Sequence, residues 1–151
     1  MKLIRYISII IFMLSIISIS QAFNTDLFIV KCTRVIDGDT MIFEYQNLPL
    51  KGRLKIADAF ETYKNKHLKK QMKYLNKNAE ELICKGKIAK NIIKNILEGK
   101  EVCIKIDKKH TFDYYGRYLV SVYTNKECQG ETISDFLIKN KLAIYNKDLE
   151  N

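Results

Sequence analysis

The chain has 151 residues, with 26 Lys+Arg against 17 Asp+Glu and a formal net charge of +9. This length allows one domain, and a basic excess of this size favours polyanions such as nucleic acid, although it also serves solubility alone. There is no Cys-x-x-Cys pair, and His67 and His110 stand apart from each other and from the cysteines, which argues against a zinc site.

The first 22 residues have the layout of a secretory signal peptide. Lys2 and Arg5 give a positive head, Ile4–Ser18 is almost wholly apolar, and Ser20-Gln21-Ala22 is a small-x-small site with cleavage expected after Ala22. We therefore predict a secreted or periplasmic protein. The alternative is an uncleaved membrane anchor, but the apolar run is shorter than the segment that normally spans a bilayer.

The rest of the chain, 23–151, is predicted to be one domain, and it keeps a charge near +7 because only two basic residues are removed. An even number of cysteines in an exported chain predicts one or two disulfides. If all four pair, three connectivities are open, and a buried thiol is the alternative for Cys103. The cysteines are Cys32, Cys84, Cys103 and Cys128.

In chain order, apolar and polar residues alternate from Leu27 to Ile36, and β-rich runs follow at Thr40–Tyr45 and Leu50–Ile56. Asn and Pro in the segment 46–49 predict a turn between the last two runs. Leu54 and Ile56 share one parity of their strand, so Arg53 is expected on the opposite, accessible face.

The segment 62–70 is polar and Lys-rich and is predicted to be an exposed loop. Isoleucines at helical spacing predict a helix that ends before Gly99 and that can begin well upstream, since Met72, Leu75 and Leu82 keep a similar rhythm. Two more strands are predicted at Glu101–Ile106 and Arg117–Tyr123. Thr132 and Asp135 form a capping box that opens a short last helix.

The predicted class is α+β, mainly β. Five short strands, with a helix after the third and a short helix after the fifth, are the layout of an OB-fold barrel. This fold binds oligonucleotides and oligosaccharides, but it does not by itself assign a chemistry.

Several motifs lie on these elements in order. They are Ile36-Asp37-Gly38-Asp39-Thr40, then Arg53 followed by Asp58-Ala59-Phe60-Glu61-Thr62, then Tyr115-Gly116-Arg117, and last Leu142-Ala143 at the expected end of the final helix. With these motifs, the chain resembles the staphylococcal nuclease (thermonuclease) family from about Phe28 to Ala143.

The resemblance implies a metal site and a catalytic set. Asp39, Asp58 and the carbonyl of Ala59 match the family's Ca²⁺ ligands, and a hard cation prefers such oxygen ligands. So few protein charges imply a weak site. The two matching arginines would hold a phosphate and stabilise the transition state, and the matching glutamate would act as general base. These are Arg53, Arg117 and Glu61.

Tyr115 and Tyr145 match tyrosines that contact the substrate. Asp37 is expected to be a turn residue and not a direct metal ligand. The chain also departs from the family pattern: Phe60 replaces a common proline before Glu61, the segment Thr62–Lys85 is longer, and the end at Asn151 leaves little room for a last C-terminal helix.

The implied function is a Ca²⁺-dependent endonuclease that cleaves DNA and RNA, preferably single-stranded, to 3′-phosphate and 5′-hydroxyl products. We expect a monomer without a stable protein partner, in contact with a membrane only if the signal segment stays uncleaved. One alternative is a catalytically silent OB-fold module that binds nucleic acid. Another is an exported module that binds an acidic polysaccharide.

Overall fold

The computed structural model describes residues 26–146. The predicted signal peptide therefore lies outside the described residues. The strands are β1 (Leu27–Val35), β2 (Thr40–Tyr45), β3 (Leu48–Leu54), β4 (Ala57–Ala59), β5 (Glu101–Ile106), β6 (Tyr118–Tyr123) and β7 (Ala143–Tyr145). The helices are α1 (Lys66–Leu75), α2 (Ala79–Leu97) and α3 (Ile133–Lys139).

Five strands close a barrel in the order β1-β2-β3-β6-β5. All neighbours are antiparallel except β3 and β6, which run parallel and pair Arg53 with Leu119. The mainly β OB-fold class is therefore confirmed. The parallel pair matters for function, because it brings the start of β6 beside the end of β3.

The barrel interior is filled from alternating positions, as the period of two requires. Met41, Phe43 and Leu54 are fully buried in it. Helix α2 covers one end of the barrel, with Ala89 and Ile93 facing the same core. Helix α2 thus packs on the barrel next to β1.

The β2–β3 connection is tighter than predicted. Only Gln46 and Asn47 form the turn, both with positive φ of 51° and 63°, and β3 already begins at Leu48. Pro49 lies inside the strand opposite Glu44. A proline is accepted there because β6 pairs with β3 only from Gly52 onward, so the other edge at position 49 needs no donor.

The predicted loop over residues 62–70 is wrong in its second half. Helix α1 begins at Lys66, and the Asn65 side chain caps it by accepting from the Leu68 N–H. Leu68 is buried in a small second core with Phe60 and Leu82. The apolar spacing within a lysine-rich segment, and not its overall polarity, decides the structure here.

The helix predicted to start upstream of Ile88 is confirmed, but it is divided into two. Asn76 adopts the left-handed conformation with φ of 51° and ends α1. Helix α2 then starts after a second cap at Asn78.

The capping box of Thr132 and Asp135 is confirmed at the start of α3. Leu142-Ala143 does not end this helix, which stops at Lys139. Ala143 instead opens β7 and pairs with Ala59 of β4. This two-stranded sheet was not predicted, because three-residue strands carry almost no periodic signal.

One disulfide joins Cys103 and Cys128, while Cys32 and Cys84 are free thiols. Cys103 is thus paired, and it is not the buried thiol of the alternative reading. Within residues 26–146, no helix is both long enough and apolar enough to cross a membrane.

Candidate active site

A cleft of about 440 Å³ opens where the β1–β2 turn, the end of β3, the start of α1 and the loop before β6 meet. Five carboxylate residues line it: Asp37, Asp39, Asp58, Glu61 and Asp113. Arg53, Arg117 and His67 line it as well. The cleft thus collects the residues that the sequence motifs had distributed over separate segments.

Arg53 joins the two aspartates. Its Nη1 donates to Asp39 Oδ1 at 2.6 Å, and its Nη2 donates to Asp58 Oδ1 at 2.7 Å. The side chain is 15% exposed, on the face opposite the buried Leu54, as the strand parity predicted. A single guanidinium therefore holds both carboxylates at one wall of the cleft.

Asp39 is almost fully buried and is held by several donors. Its Oδ2 accepts from the Ala59 N–H at 2.9 Å, and its Oδ1 accepts from the Thr40 hydroxyl at 2.9 Å. Burial raises the pKa of the Asp39 carboxyl to about 7; Arg53 opposes this rise, and the charges of Asp37 and Asp58 add to it. Burial and the neighbouring carboxylates thus disfavour the charged form of Asp39.

The pKa of Asp58 is lowered, in contrast to that of Asp39. Burial raises its pKa, but the hydrogen bond and charge of His67, followed by the charge of Arg53, outweigh burial and leave the pKa below its ordinary value. His67 Nε2 lies 2.9 Å from Asp58 Oδ2. The hydrogen bond with Asp58 in turn raises the pKa of His67.

Gln71 completes the support of this carboxylate from α1. Its Nε2 donates to Asp58 Oδ2 at 3.2 Å and to the Ala59 carbonyl at 3.0 Å. The side chain is 2% exposed, so these bonds fix the β4 backbone from below. Ala59 itself does not appear among the described residues that line the cleft.

One hydrogen bond orients the Glu61 side chain, and the packing of its neighbour Phe60 fixes the backbone beside it. Asn65 Nδ2 donates to Glu61 Oε2 at 2.7 Å. Phe60 is 4% exposed and packs with Leu68 and Leu82, so the residue that replaces the family's proline anchors this turn in the second core.

Arg117 is positioned by the turn that precedes it. Asp113 Oδ1 accepts from the Arg117 N–H at 2.9 Å, and Asp113 Oδ2 accepts from Arg117 Nε at 2.6 Å. Arg117 Nη1 donates to Thr40 Oγ1 at 3.1 Å. Gly116 has a φ of 72°, which suits glycine and allows this turn.

Of the two tyrosines predicted to contact substrate, only Tyr115 lines the cleft. Tyr115 is 78% exposed and lines the cleft, and the Arg117 guanidinium carbon lies 5.3 Å from its ring centre. Tyr145 lies on β7 opposite Ala57 and is not among the described cleft residues.

Asn65, His67 and Gln71 were not among the predicted site residues, and all three come from α1 or its cap. The detectable signal was the spacing of Leu68, Met72 and Leu75 after an asparagine, which is that of a capped amphipathic helix. Asp113 was also missed, although its position four residues before Arg117 allows the contact seen here.

Asp39 and Asp58 offer only oxygen atoms to the cleft, and this donor chemistry fits a hard cation such as Ca²⁺. Asp37 accepts from the Asp39 N–H at 3.2 Å, in keeping with a turn residue. Among the residues described, however, no group of three or more His, Cys, Asp or Glu side chains could by itself hold a metal ion. A metal here would therefore need water or substrate oxygens to complete its coordination.

A protein-family model described as staphylococcal nuclease homologue matches residues 53–151. The match includes Arg53, Asp58, Glu61 and Arg117, while Asp39 and the first two strands precede it. The resemblance drawn from the sequence motifs is thereby confirmed.

Proposed function

The chain belongs to the staphylococcal nuclease family, and on this premise we propose that it is an exported, Ca²⁺-dependent endonuclease that hydrolyses phosphodiester bonds of DNA and RNA. The observation that carries the proposal is the arrangement of Arg53 and Arg117 around one cleft that also contains Asp39, Asp58 and Glu61.

The two arginines are suited to a phosphodiester. A guanidinium has five N–H donors in a fixed plane, so Arg53 can keep its bonds to Asp39 and Asp58 and still offer hydrogens to a phosphate. Arg117 uses Nε and Nη1 for Asp113 and Thr40, which leaves the Nη2 donors for a phosphate oxygen. Two such donors would stabilise the charge that grows on the phosphate oxygens in the transition state.

Glu61 is the general base of this proposal. It would take a proton from the water whose oxygen bonds to phosphorus, while the bond from phosphorus to the 5′-oxygen breaks. The leaving 5′-oxygen would take up a proton from solvent, so the products would be 3′-phosphate and 5′-hydroxyl ends. The bond from Asn65 would keep the carboxylate turned into the cleft.

Asp39 and Asp58, with the carbonyl of Ala59, would hold Ca²⁺, which would supply positive charge to a phosphate oxygen and lower the pKa of an adjacent water. Asp58 suits this role because its depressed pKa keeps it ionised at neutral pH. The low number of ligand charges suits a calcium-rich medium.

Export is part of the proposal. The Cys103–Cys128 disulfide supports it, since such bonds persist in oxidising compartments. The segment 1–22 would be the signal peptide, and the monomeric protein would act outside the cytoplasm on single-stranded substrates first.

The test is digestion of single-stranded DNA and RNA by the purified protein, in Ca²⁺ and in chelator. Cleavage in Ca²⁺ that stops in chelator and falls at least about 100-fold in Arg117→Ala supports the proposal. Tight binding without cleavage in Ca²⁺ would instead identify a silent nucleic-acid-binding module. No affinity for either nucleic acid would leave the acidic polysaccharide.

A further inference from the structure

Helix α1 carries a uniform basic face. Lys66, Lys69, Lys70 and Lys73 follow the spacing of one helical face, and all four are exposed. The segment from Thr62 to Asn78 contains no Asp or Glu. The face therefore has no acidic residue of its own to neutralise it.

The opposite side of α1 fixes this orientation. Leu68 and Gln71 are buried against the body of the protein, so the lysines point outward. Across residues 26–146, none of the four ammonium groups forms an ion pair with a carboxylate. Lysines three and four positions apart on a helix repel each other, so a bound polyanion would reduce the electrostatic repulsion between them.

The basic face begins at the cleft. Asn65 and His67, at the start of α1, line the cleft, and Gln71 bonds to Asp58. A helix of 10 residues extends about 15 Å, which is roughly the length of four stacked nucleotides. A strand bound at the catalytic residues could thus continue along α1.

Exposed aromatic rings lie near both ends of this path. Tyr63 precedes the helix, lines the cleft and is 64% exposed, and Tyr74 in its last turn is 68% exposed. Alternating phosphate-binding cations and stacking rings are typical of surfaces that bind single-stranded nucleic acid without sequence preference. The position of Tyr63 and of the start of α1 at the cleft favours a nucleic acid over an anionic membrane as the bound polyanion.

We propose that the exposed face of α1, formed by Lys66, Lys69, Lys70 and Lys73 with Tyr63 and Tyr74, is a binding track for the part of a single-stranded nucleic acid that leaves the cleft. This inference rests on the proposed function and extends it to the substrate's length. It predicts that substrates longer than the cleft bind more tightly and with a steeper salt dependence.

The experiment measures binding in chelator, so that no cleavage occurs, by fluorescence anisotropy of a labelled thymidine dinucleotide and of a labelled oligothymidylate of about 12 nucleotides. The test variant is Lys66→Gln/Lys69→Gln/Lys73→Gln in the full chain. The matched control, Lys31→Gln/Lys87→Gln/Lys105→Gln, removes the same charge from exposed positions that do not line the cleft. Circular dichroism verifies that both variants keep their helices.

We expect the α1 variant to bind the longer oligonucleotide at least 10-fold more weakly than the control variant does. The slope of log affinity against log salt should fall by about 2, since each lost phosphate contact on a single strand removes about 0.7. Affinity for the dinucleotide should change less than about twofold.

Equal losses in both triple variants would overturn the inference, because they would assign the effect to net charge alone. So would an α1 variant that keeps its oligonucleotide affinity but no longer binds vesicles of phosphatidylglycerol. If the unmodified protein cleaves DNA while the α1 variant retains full oligonucleotide affinity, only this inference fails. If the unmodified protein neither binds nor cleaves nucleic acid, the proposed function fails first.

Discussion

Gly86 of α2 lies directly against the backbone of Glu61. A Cβ atom built on Gly86 would lie 2.4 Å from the carbonyl oxygen of Glu61 and 2.4 Å from that of Phe60. Only a residue without a side chain lets the helix approach this peptide so closely. The position of the proposed base is thus set by a glycine that lies outside the cleft.

Gly86→Ala is expected to displace the backbone of Glu61 and to lower cleavage by about 100-fold, since small misplacements of a catalytic group are costly. Overpacking typically costs about 1–3 kcal/mol of unfolding free energy, and the better helix propensity of alanine returns about 1 kcal/mol. Cleavage rates and urea unfolding measure the two effects. Lys87→Ala, an exposed change at the next position, is the control, and an unchanged rate in Gly86→Ala would contradict the role assigned to this contact.

Asp39→Asn should stabilise the protein while removing cleavage activity. The pKa of Asp39 is raised to about 7 by burial. A carboxyl with a raised pKa destabilises the folded state increasingly as pH rises from the unfolded value to the folded one. Asp39→Asn should therefore raise the unfolding free energy more at pH 8 than at pH 5. The gain at pH 8 should be at most about 4 kcal/mol, and the gain should vanish below the pKa that the carboxyl has in the unfolded chain.

Urea unfolding of Asp39→Asn at several pH values checks this expectation. Asp37→Asn is the matched control, because it removes a charge from the same turn at a less buried position. A gain that is constant with pH would mean that relief of buried charge is not the cause.

Asp113 is a positioning residue for Arg117, and Asp113→Asn should keep the bonds to the backbone while losing the charged partner of Arg117 Nε. We expect cleavage to fall by about 10-fold, in line with the loss of one charge-assisted hydrogen bond. In a double-mutant cycle, Asp113→Asn should cost almost nothing further when Arg117 is already alanine.

The control for this cycle is Asp107→Asn, in the same loop but paired with Lys55 away from the cleft. Additive losses for Asp113→Asn and Arg117→Ala would refute the coupling.

The disulfide between Cys103 and Cys128 closes a loop with a sequence separation of 25. Reduction should lower the unfolding free energy by about 3 kcal/mol, since the open loop gains conformational freedom in the unfolded chain. Urea unfolding with and without dithiothreitol measures the difference. The control is Cys84→Ser, at an exposed free thiol, which should change the unfolding free energy by less than about 0.5 kcal/mol. If dithiothreitol also changes the unfolding free energy by less than about 0.5 kcal/mol, the disulfide contributes little to stability.

The barrel could be predicted because its strands alternate buried and exposed side chains, as β2 does around Met41 and Phe43. The polar side of the site could be predicted because motifs fix Arg53 on β3 and place Asp39 and Arg117 directly before β2 and β6. Their convergence depends on the β3–β6 pairing, which no local pattern contains.

The start of helix α1 was harder to predict, because five of its ten residues are Lys or His and only a few apolar residues mark its buried side. Its stability comes from Leu68 packing with Phe60 and Leu82, and these contacts join distant parts of the chain. The support that α1 gives to Asp58 was hidden for the same reason.

The parallel pairing of β3 with β6 makes the proposed catalytic site depend on completion of the barrel. Before these two strands meet, the guanidinium groups at positions 53 and 117 belong to separate regions of an open polypeptide. An incompletely folded chain, or a fragment that ends before β6, would therefore not hydrolyse nucleic acid. During refolding, hydrolysis would begin only when β3 and β6 have paired.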